Sequence, residues 1–279
     1  MLYLAATPIG NLGDITLRAV QALTDCDAVY CEDTRRTVQL MNHLGLKKPL
    51  VSCHEHNEKQ RAEEAAAALM EGKTLVYVSD AGMPGISDPG AALVAACIAH
   101  GLPFTVLPGA SAVLTAAVMS GLPPSPFTFY GFLPRESKPR REALAAIAAL
   151  RHLVLLYESP QRVQRTLSDL YDALGDCRGA VLRELTKKFE EARRGRLSEL
   201  IPLYDASPKG ECVLALLPEE RCRENAASAA ETLDAMLLRL LGAGTSVRDA
   251  SAEAAALLGV PKKDAYRRAL ALTQPPADR

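Results

Sequence analysis

Residues 75–90 read LVYVSDAGMPGISDPG, and this stretch decides the fold. Its first four residues are all apolar, which is typical of a strand that is buried on both faces of a parallel sheet. The twelve residues that follow hold three glycines and two prolines, so the chain must turn there. A strand that ends in a glycine-rich loop and leads into a helical pattern indicates an α/β fold.

The same unit recurs on both sides of this stretch. Short apolar runs alternate with longer segments in which apolar residues recur at helical spacing. The other predicted strands are 2–6, 28–31, 50–52 and 104–107. The first predicted helix begins after an N-cap at Thr16. The other predicted helices cover 35–44, 58–71, 91–100 and 111–119. Repeated units of this kind predict a mostly parallel sheet that is covered on both faces.

Prolines at 123, 124 and 126 interrupt the pattern, and we place a domain boundary after Gly121. Strand patterns continue beyond it but alternate less regularly with helices, so the second sheet is expected to be mixed. After Pro218 the sequence is helical and rich in alanine. We predict an α/β domain over 1–121, a second α/β domain over 122–224 and a C-terminal helical segment over 225–279. The last two helices look like a helix-turn-helix, although a helical cap or a dimer element fits the pattern equally well.

Composition restricts the class of protein. The chain has 279 residues, of which 48% are hydrophobic, and its net charge is −1, so global charge gives no indication of a nucleic-acid partner. No apolar run reaches the roughly 18 residues of a membrane helix, and the first residues lack the basic region of a signal peptide. We therefore expect a cytoplasmic protein without a membrane partner.

Metal and disulfide chemistry have little support in the sequence. Seven cysteines are scattered along the chain without a C-x-x-C pair, which argues against a disulfide framework and against a zinc ribbon. The cluster Cys53-His54-Glu55-His56 contains metal-ligand residue types, but neighbours on a strand point to opposite faces, so at most two can converge. We expect no metal site.

Three glycine-rich loops follow predicted strands, at 7–13 (TPIGNLG), at 79–90 and at 108–112 (PGASA). In an open α/β sheet these strand ends line the crevice where ligands bind, and glycine lets a ligand approach the backbone. The loops match neither G-x-G-x-x-G nor the P-loop pattern. Asp80 and Asp88 are unfavourable beside phosphates but suit a ligand with hydroxyl groups or positive charge. S-adenosylmethionine (SAM) has ribose hydroxyls, an ammonium group and a sulfonium.

Four segments together resemble a known family: 7–15 (TPIGNLGDI), 31–35 (CEDTR), 79–90 and 157–160 (YESP). This ordered set is similar to the tetrapyrrole methylase superfamily. More narrowly, it resembles the branch that methylates the ribose 2′-oxygen of a cytidine in small-subunit ribosomal RNA. The resemblance covers about 1–218 and extends weakly into the C-terminal segment. Met83 departs from the pattern, which leads us to expect a small hydroxyl residue there.

The resemblance implies SAM in a cleft between two α/β domains, a homodimer, and a partner in the RNA of the small subunit, free or assembled. It places SAM against Pro8, Asp80, Ala81, Gly82, Ile86, Ser111 and Tyr157. Two of these residues have a structural alternative, since Asp80 could instead form an Asx-type turn and Tyr157 could belong to the core.

Transfer to oxygen is chiefly a matter of placing the acceptor in line with the methyl group, and a base that accepts the hydroxyl proton assists it. The candidate bases are Glu158, Glu184 and a lysine of lowered pKa, Lys187. A structural salt bridge is the alternative for each of the three.

Cations near strand ends are candidate RNA contacts, because they attract a polyanion even when the net charge is near zero. The candidates are Arg35, Arg36, Lys187, Lys188 and Arg135. They are expected to point outward at the rim of the cleft, since cations that faced the sulfonium would repel it. A solvated surface is the alternative. A methylase acting on a tetrapyrrole and a non-catalytic RNA-binding module remain alternative functions.

Overall fold

Five parallel strands form the first sheet. The computed structural model describes residues 1–206, 208–219, 233–258 and 260–273. The strands are β1 (Leu2–Ala5), β2 (Ala28–Cys31), β3 (Leu50–Ser52), β4 (Leu75–Val78) and β5 (Phe104–Leu107). Their order in the sheet is β3-β2-β4-β1-β5, which places β4, the strand at residues 75–78, at the centre. The parallel sheet that the sequence predicts is confirmed.

Helices cover both faces of this sheet. They are α1 (Leu17–Asp25), α2 (Thr34–His43), α3 (Glu58–Met70), α4 (Ala91–Ala99) and α5 (Ala112–Met119). The hydroxyl of Thr16 accepts a hydrogen bond from the Ala19 N–H, as the predicted N-cap requires. Leu23 and Met41 pack on one face of the sheet, and Leu69 and Leu93 on the other. Burial on both faces explains why the three inner strands, β2, β4 and β1, are apolar at every position.

The second sheet is mixed, as expected. Its strands are β6 (Phe127–Phe132), β7 (Leu153–Glu158), β8 (Arg178–Arg183), β9 (Glu191–Arg196) and β10 (Cys212–Leu217). The order is β6-β7-β10-β8-β9, and only β6 and β7 are parallel. One face is covered by α6 (Ser137–Ala148), α7 (Val163–Leu174) and the short α8 (Leu197–Leu200).

The other face of the second sheet packs against α5. Val113 and Ala116 of this helix lie in one buried cluster with Leu155 of β7 and Val213 of β10. Arg194 of β9 donates hydrogen bonds to the carbonyl oxygens at the end of α5, one of them to Ser120 at 3.1 Å and the other to Met119. The two sheets therefore share a helix, and a cleft lies beside it.

The C-terminal residues form a separate small core. Residues 233–242 are helical (α9) and are followed by α10 (Val247–Leu258) and α11 (Lys262–Thr273). Leu233, Leu237 and five alanines are buried between these helices. The start of the predicted C-terminal segment, with its boundary at 224/225, lies outside the described residues. Among the described helices, none combines the length and the apolar character needed to span a membrane.

Candidate functional site: a cleft between the two sheets

Two of the glycine-rich loops are joined by backbone hydrogen bonds. Thr7, which follows β1, and Gly82, which follows β4, exchange N–H···O bonds of 3.0 and 2.9 Å. The Thr7 hydroxyl also donates to the carbonyl of Ser79. Gly82 has a φ of +80°, a conformation that other residues rarely adopt. Glycine is therefore required at this junction of the two loops, the glycine crossing. The crossing forms the floor of the cleft.

A cavity of about 480 Å³ lies above this floor, between the two sheets. The first domain lines it with residues of the loops after β1, β2, β4 and β5. The second domain contributes the ends of β6 and β7 and the start of β10. The residues that line it include Ile9, Glu32, Arg36, Asp80, Asp88, Phe132, Tyr157 and Glu211.

One wall of the cavity is acidic. Glu32, Asp80 and Asp88 all line it. Burial and the neighbouring Glu32 and Asp80 carboxylates raise the pKa of Asp88 to about 6. Burial and Asp80 likewise raise the pKa of Glu32. Because each of these carboxylates disfavours the charge of the others, the wall is suited to a cationic ligand.

Asp80 connects this wall to the end of β2. Its Oδ1 accepts a hydrogen bond of 3.0 Å from the Asp33 N–H, and its Oδ2 lies 3.4 Å from Nε of Arg36. The carboxylate thus bonds across to a neighbouring strand end and not to its own turn, which argues against the Asx-turn alternative.

The opposite wall is apolar and aromatic. Tyr157 is half-buried, and burial raises its pKa to about 12. The rings of Phe129 and Phe132 lie 4.8 and 5.6 Å from the Tyr157 ring. Tyr157 therefore belongs both to the packing of the second sheet and to the cavity wall.

Six of the seven residues predicted to bind the cofactor line this cavity: Asp80, Ala81, Gly82, Ile86, Ser111 and Tyr157. Pro8 does not, and the neighbouring Ile9 takes its place. The bonds between Thr7 and Gly82 fix the direction of the chain there, so that the side chain after Pro8 faces the cavity. Met83 also lines the cavity.

The expectation that Lys187 has a lowered pKa is wrong. Burial by itself lowers it, but the ammonium donates hydrogen bonds to Glu184 at 2.9 Å and to Glu211 at 3.2 Å, and together these raise the pKa. The hydrogen bond from Lys187 in turn lowers the pKa of Glu184. Neither Lys187 nor Glu184 lines the cavity, although their partner Glu211 does.

Glu158 is the one candidate base that lines the cavity, and its side chain is only 1% exposed. Its carboxylate lies 3.2 Å from Nε of Arg162 and accepts hydrogen bonds from the Thr166 hydroxyl and the Ser159 N–H. Thr166 in turn accepts a hydrogen bond from the buried Arg140. These contacts connect β7 to α7 and α6, and they support a structural role for Glu158.

The predicted RNA-binding cations differ in placement. Arg35 is exposed and paired with Asp33, and the exposed Lys188 lies over the ring of Phe189 at 5.6 Å. Arg135 is exposed beyond the end of β6. Lys187 is held by its two glutamates. Arg36 departs from the expectation that these cations point away from the ligand, because it lines the cavity and its charge is paired with Asp80.

Sequence reasoning missed several lining residues. Glu32 was within reach, since it directly follows a predicted strand and lies inside a segment that carries the resemblance. Glu211 and Val213 had no such signal. They reach the cleft because β10 is inserted between β7 and β8. No local sequence pattern predicts this pairing.

Comparison with known proteins decides the family. A model of the tetrapyrrole (corrin/porphyrin) methylases matches residues 1–201. The chain belongs to the tetrapyrrole methylase family. It is a methyltransferase, and SAM is its methyl donor. A second model, of the RsmI C-terminal HTH domain, matches residues 226–273, in agreement with the helix-turn-helix pattern.

Several relatives carry the same name, ribosomal RNA small subunit methyltransferase I. The protein of Halalkalibacterium halodurans is 41% identical over 95% of this chain and 93% of its own length. The Synechocystis protein is 40% identical over 98% of both chains. The Thermotoga maritima protein is 44% identical over 220 residues, which are 78% of this chain and 99% of that protein.

Two solved structures share the fold. Diphthine synthase has a TM-score of 0.61 at 16% identity and covers 77% of this chain and 89% of its own. Uroporphyrin-III-C-methyltransferase from Thermus thermophilus has a TM-score of 0.56 at 21% identity and covers 78% of this chain and 94% of its own. At these identities the likeness concerns the fold alone.

The residues of the cleft fit the methyl donor of this family. A cation with ribose hydroxyls suits the acidic wall formed by Glu32, Asp80 and Asp88. The ring of Tyr157 offers a surface for the aromatic base of the donor, and the backbone conformation of Gly82 allows close approach there.

The raised pKa of Asp88 predicts a pH dependence of SAM binding. Below about pH 6 the carboxyl is protonated and neutral, and above it the carboxylate is charged and attracts the cation. Affinity should therefore rise between pH 5 and pH 7, by at most about tenfold per unit. Binding near pH 6 should also release protons. Calorimetry in buffers of different ionisation enthalpy measures both effects, and Asp88→Asn should flatten the profile. A profile unchanged by Asp88→Asn would contradict this assignment.

Proposed function

We propose that this protein methylates the ribose 2′-oxygen of a cytidine in small-subunit ribosomal RNA. The likeness to relatives named ribosomal RNA small subunit methyltransferase I, about 40% identical over nearly the whole chain, carries the proposal. The motifs of the first sheet and the YESP segment at 157–160 support the choice of acceptor, since they resemble the branch with that specificity.

The chain's own residues have three tasks in this reaction. SAM supplies an electrophilic methyl group when it is bound. The loops that meet at Thr7 and Gly82, together with the acidic wall, would hold that donor, and residues of the second sheet line the other side of the cleft. The ribose hydroxyl must approach in line with the methyl group and lose its proton. Glu158 and Glu184 remain the candidates for accepting it, because the two glutamate partners of Lys187 raise the pKa of that lysine.

The RNA contacts that we propose surround the mouth of the cleft. Arg36 and Lys187 lie closest to it, since one lines the cavity and the other holds the lining residue Glu211. Arg35, Lys188 and Arg135 are exposed and do not line the cavity. Both of the inner cations are already paired with carboxylates, so RNA phosphates would have to compete with those carboxylates for them.

Mass spectrometry of ribosomal RNA nucleosides tests the proposed function. Cells without this protein should lack one 2′-O-methylcytidine of the small-subunit RNA, and the purified chain with SAM should restore it. Free RNA and assembled subunits should be compared as substrates. An unchanged nucleoside profile, together with methyl transfer to a tetrapyrrole, would favour the alternative that the fold also allows. Absence of SAM binding would favour a non-catalytic RNA-binding module.

We also propose a cytoplasmic homodimer. The location follows from a ribosomal substrate. For the dimer, the support is exposed apolar surface on two consecutive elements of the first domain: Val106 on the edge strand β5, and Leu114 and Val118 one turn apart on α5. Such surface on a monomer is unfavourable unless a partner covers it. Light scattering at micromolar concentration should report two chains per particle, and Leu114→Glu should reduce this to one.

A further inference from the structure

A bulge in β6 controls where the last aromatic residue of that strand points. Phe129 pairs with Leu155 of β7, but the next paired residue is Gly131, opposite Leu156, so Tyr130 is extra. Gly131 has a φ of +73°, which suits glycine at a bulge. In a regular strand, residues three apart point to opposite faces.

The bulge reverses this alternation for Phe132. Both Phe129 and Phe132 now reach the ring of Tyr157, at 4.8 and 5.6 Å. Phe132 is therefore turned onto the face of the sheet that lines the cavity. Bulges that re-aim a side chain in this way are frequent next to binding sites.

Phe132 is unusually exposed for a phenylalanine that lines a cavity. It is 55% exposed, whereas Phe129, on the same face, is half-buried. The loop of the first domain supplies Ile86, which lines the same cavity and is 46% exposed. Its neighbour Ser87 lies against the bulge, since a Cβ on Gly131 would be 3.8 Å from the Ser87 hydroxyl. Two exposed apolar side chains, one from each domain, thus flank the mouth of the cavity.

We infer that Phe132 is a stacking platform for an unpaired nucleobase of the RNA substrate, with Ile86 on the other side of that base. This inference rests on the proposed function. An aromatic face at the open end of a cleft is the surface on which proteins stack single-stranded bases, and every base offers a π-face to it. An acceptor ribose inside a duplex is less accessible than one on a nucleotide turned out of the stack.

The charges near Phe132 agree with a nucleotide at this place. Arg36 lines the same cavity, and the exposed Arg135 follows Phe132 by three residues. Cations beside an aromatic platform can contact the phosphates on either side of a stacked base. The acidic wall formed by Glu32, Asp80 and Asp88 suits the cationic methyl donor and not the phosphates.

Single-turnover methyl transfer to small ribosomal subunits from cells that lack this protein tests the inference. Phe132→Ala should weaken the subunit's apparent affinity by about 5-fold to 150-fold, the range reported for loss of one stacked base. Phe132→Trp should keep it, and Phe132→Leu, which has no π-face, should resemble the alanine variant. SAM affinity, measured by calorimetry, should stay within about twofold of the parent in all three.

Phe127→Ala is the matched control, since Phe127 is an exposed phenylalanine of the same strand that does not line the cavity. It should methylate subunits like the parent. If Phe132→Ala also matched an active parent, the inference would be overturned alone. A fall in SAM affinity in Phe132→Ala would overturn it too, by making Phe132 part of the donor's wall. A parent inactive on subunits would overturn the proposed function and the inference together.

Discussion

Gly82→Val should weaken SAM binding by about 100-fold or more. At a φ of +80° a side chain costs about 1–2 kcal/mol, and more when it is β-branched. The new Cβ would lie 3.3 Å from Cγ2 of Ile9, and the two methyl groups beyond it would crowd Ile9 further, at a similar cost. The loop can relieve this strain only by breaking its two bonds to Thr7, which form the floor of the cleft.

Gly85→Val is the matched control for this prediction. Gly85 lies in the same loop with the same φ of +80°, but no atom of the described residues lies within 4 Å of the position its Cβ would take. Gly85 does not line the cavity. Valine at position 85 has the same backbone cost but does not contact the junction of Thr7 and Gly82, so SAM affinity should change much less. Equal losses in both variants would attribute the effect to general strain in the loop, and full affinity in Gly82→Val would remove this loop from the site.

Glu158→Ala should lower the free energy of unfolding by about 3–5 kcal/mol, the usual cost of removing one partner from a buried ion pair. Arg162 would lose its carboxylate partner, and the Thr166 hydroxyl would lose its acceptor. A loss of that size should reduce Tm by roughly 6–20 °C. Thermal and denaturant unfolding of the variant measure it.

Glu211→Ala serves as the comparison, because its carboxylate also pairs with a cation but is 75% exposed. Exposed pairs contribute about 0–1 kcal/mol, so this variant should unfold close to the parent. Methyl transfer by Glu158→Gln separates the two roles of Glu158. A variant that unfolds like the parent but transfers no methyl group would make Glu158 the base and contradict its structural role.

Local signals were sufficient for most of the fold. The apolar run at 75–78 predicted a buried strand because a parallel strand is covered on both faces and has no polar side to hide the pattern. The N-cap at Thr16 was predictable because its hydrogen bond is made within one turn. The glycine-rich loops located the cleft because parallel strands bring their ends to one edge of a sheet.

The chemistry of individual side chains depended on distant partners. Lys187 read as a base of lowered pKa because the sequence does not place Glu211 beside it, and that carboxylate arrives from the segment before β10. Arg194 lies in a basic stretch of sequence, yet its guanidinium donates a hydrogen bond to the end of α5, more than 70 residues away.

By itself, the sequence determined the family, the alternation of strands and helices and the loops that form the cleft, because those signals are carried by residues close together in the chain. Only the tertiary structure decided which side chains face the cavity. A single extra residue in β6 turned Phe132 toward it, and the exchange of bonds between Thr7 and Gly82 selected Ile9 over Pro8. Both outcomes depend on how separate strands and loops pair, and pairing between distant segments leaves no periodic trace in either of them.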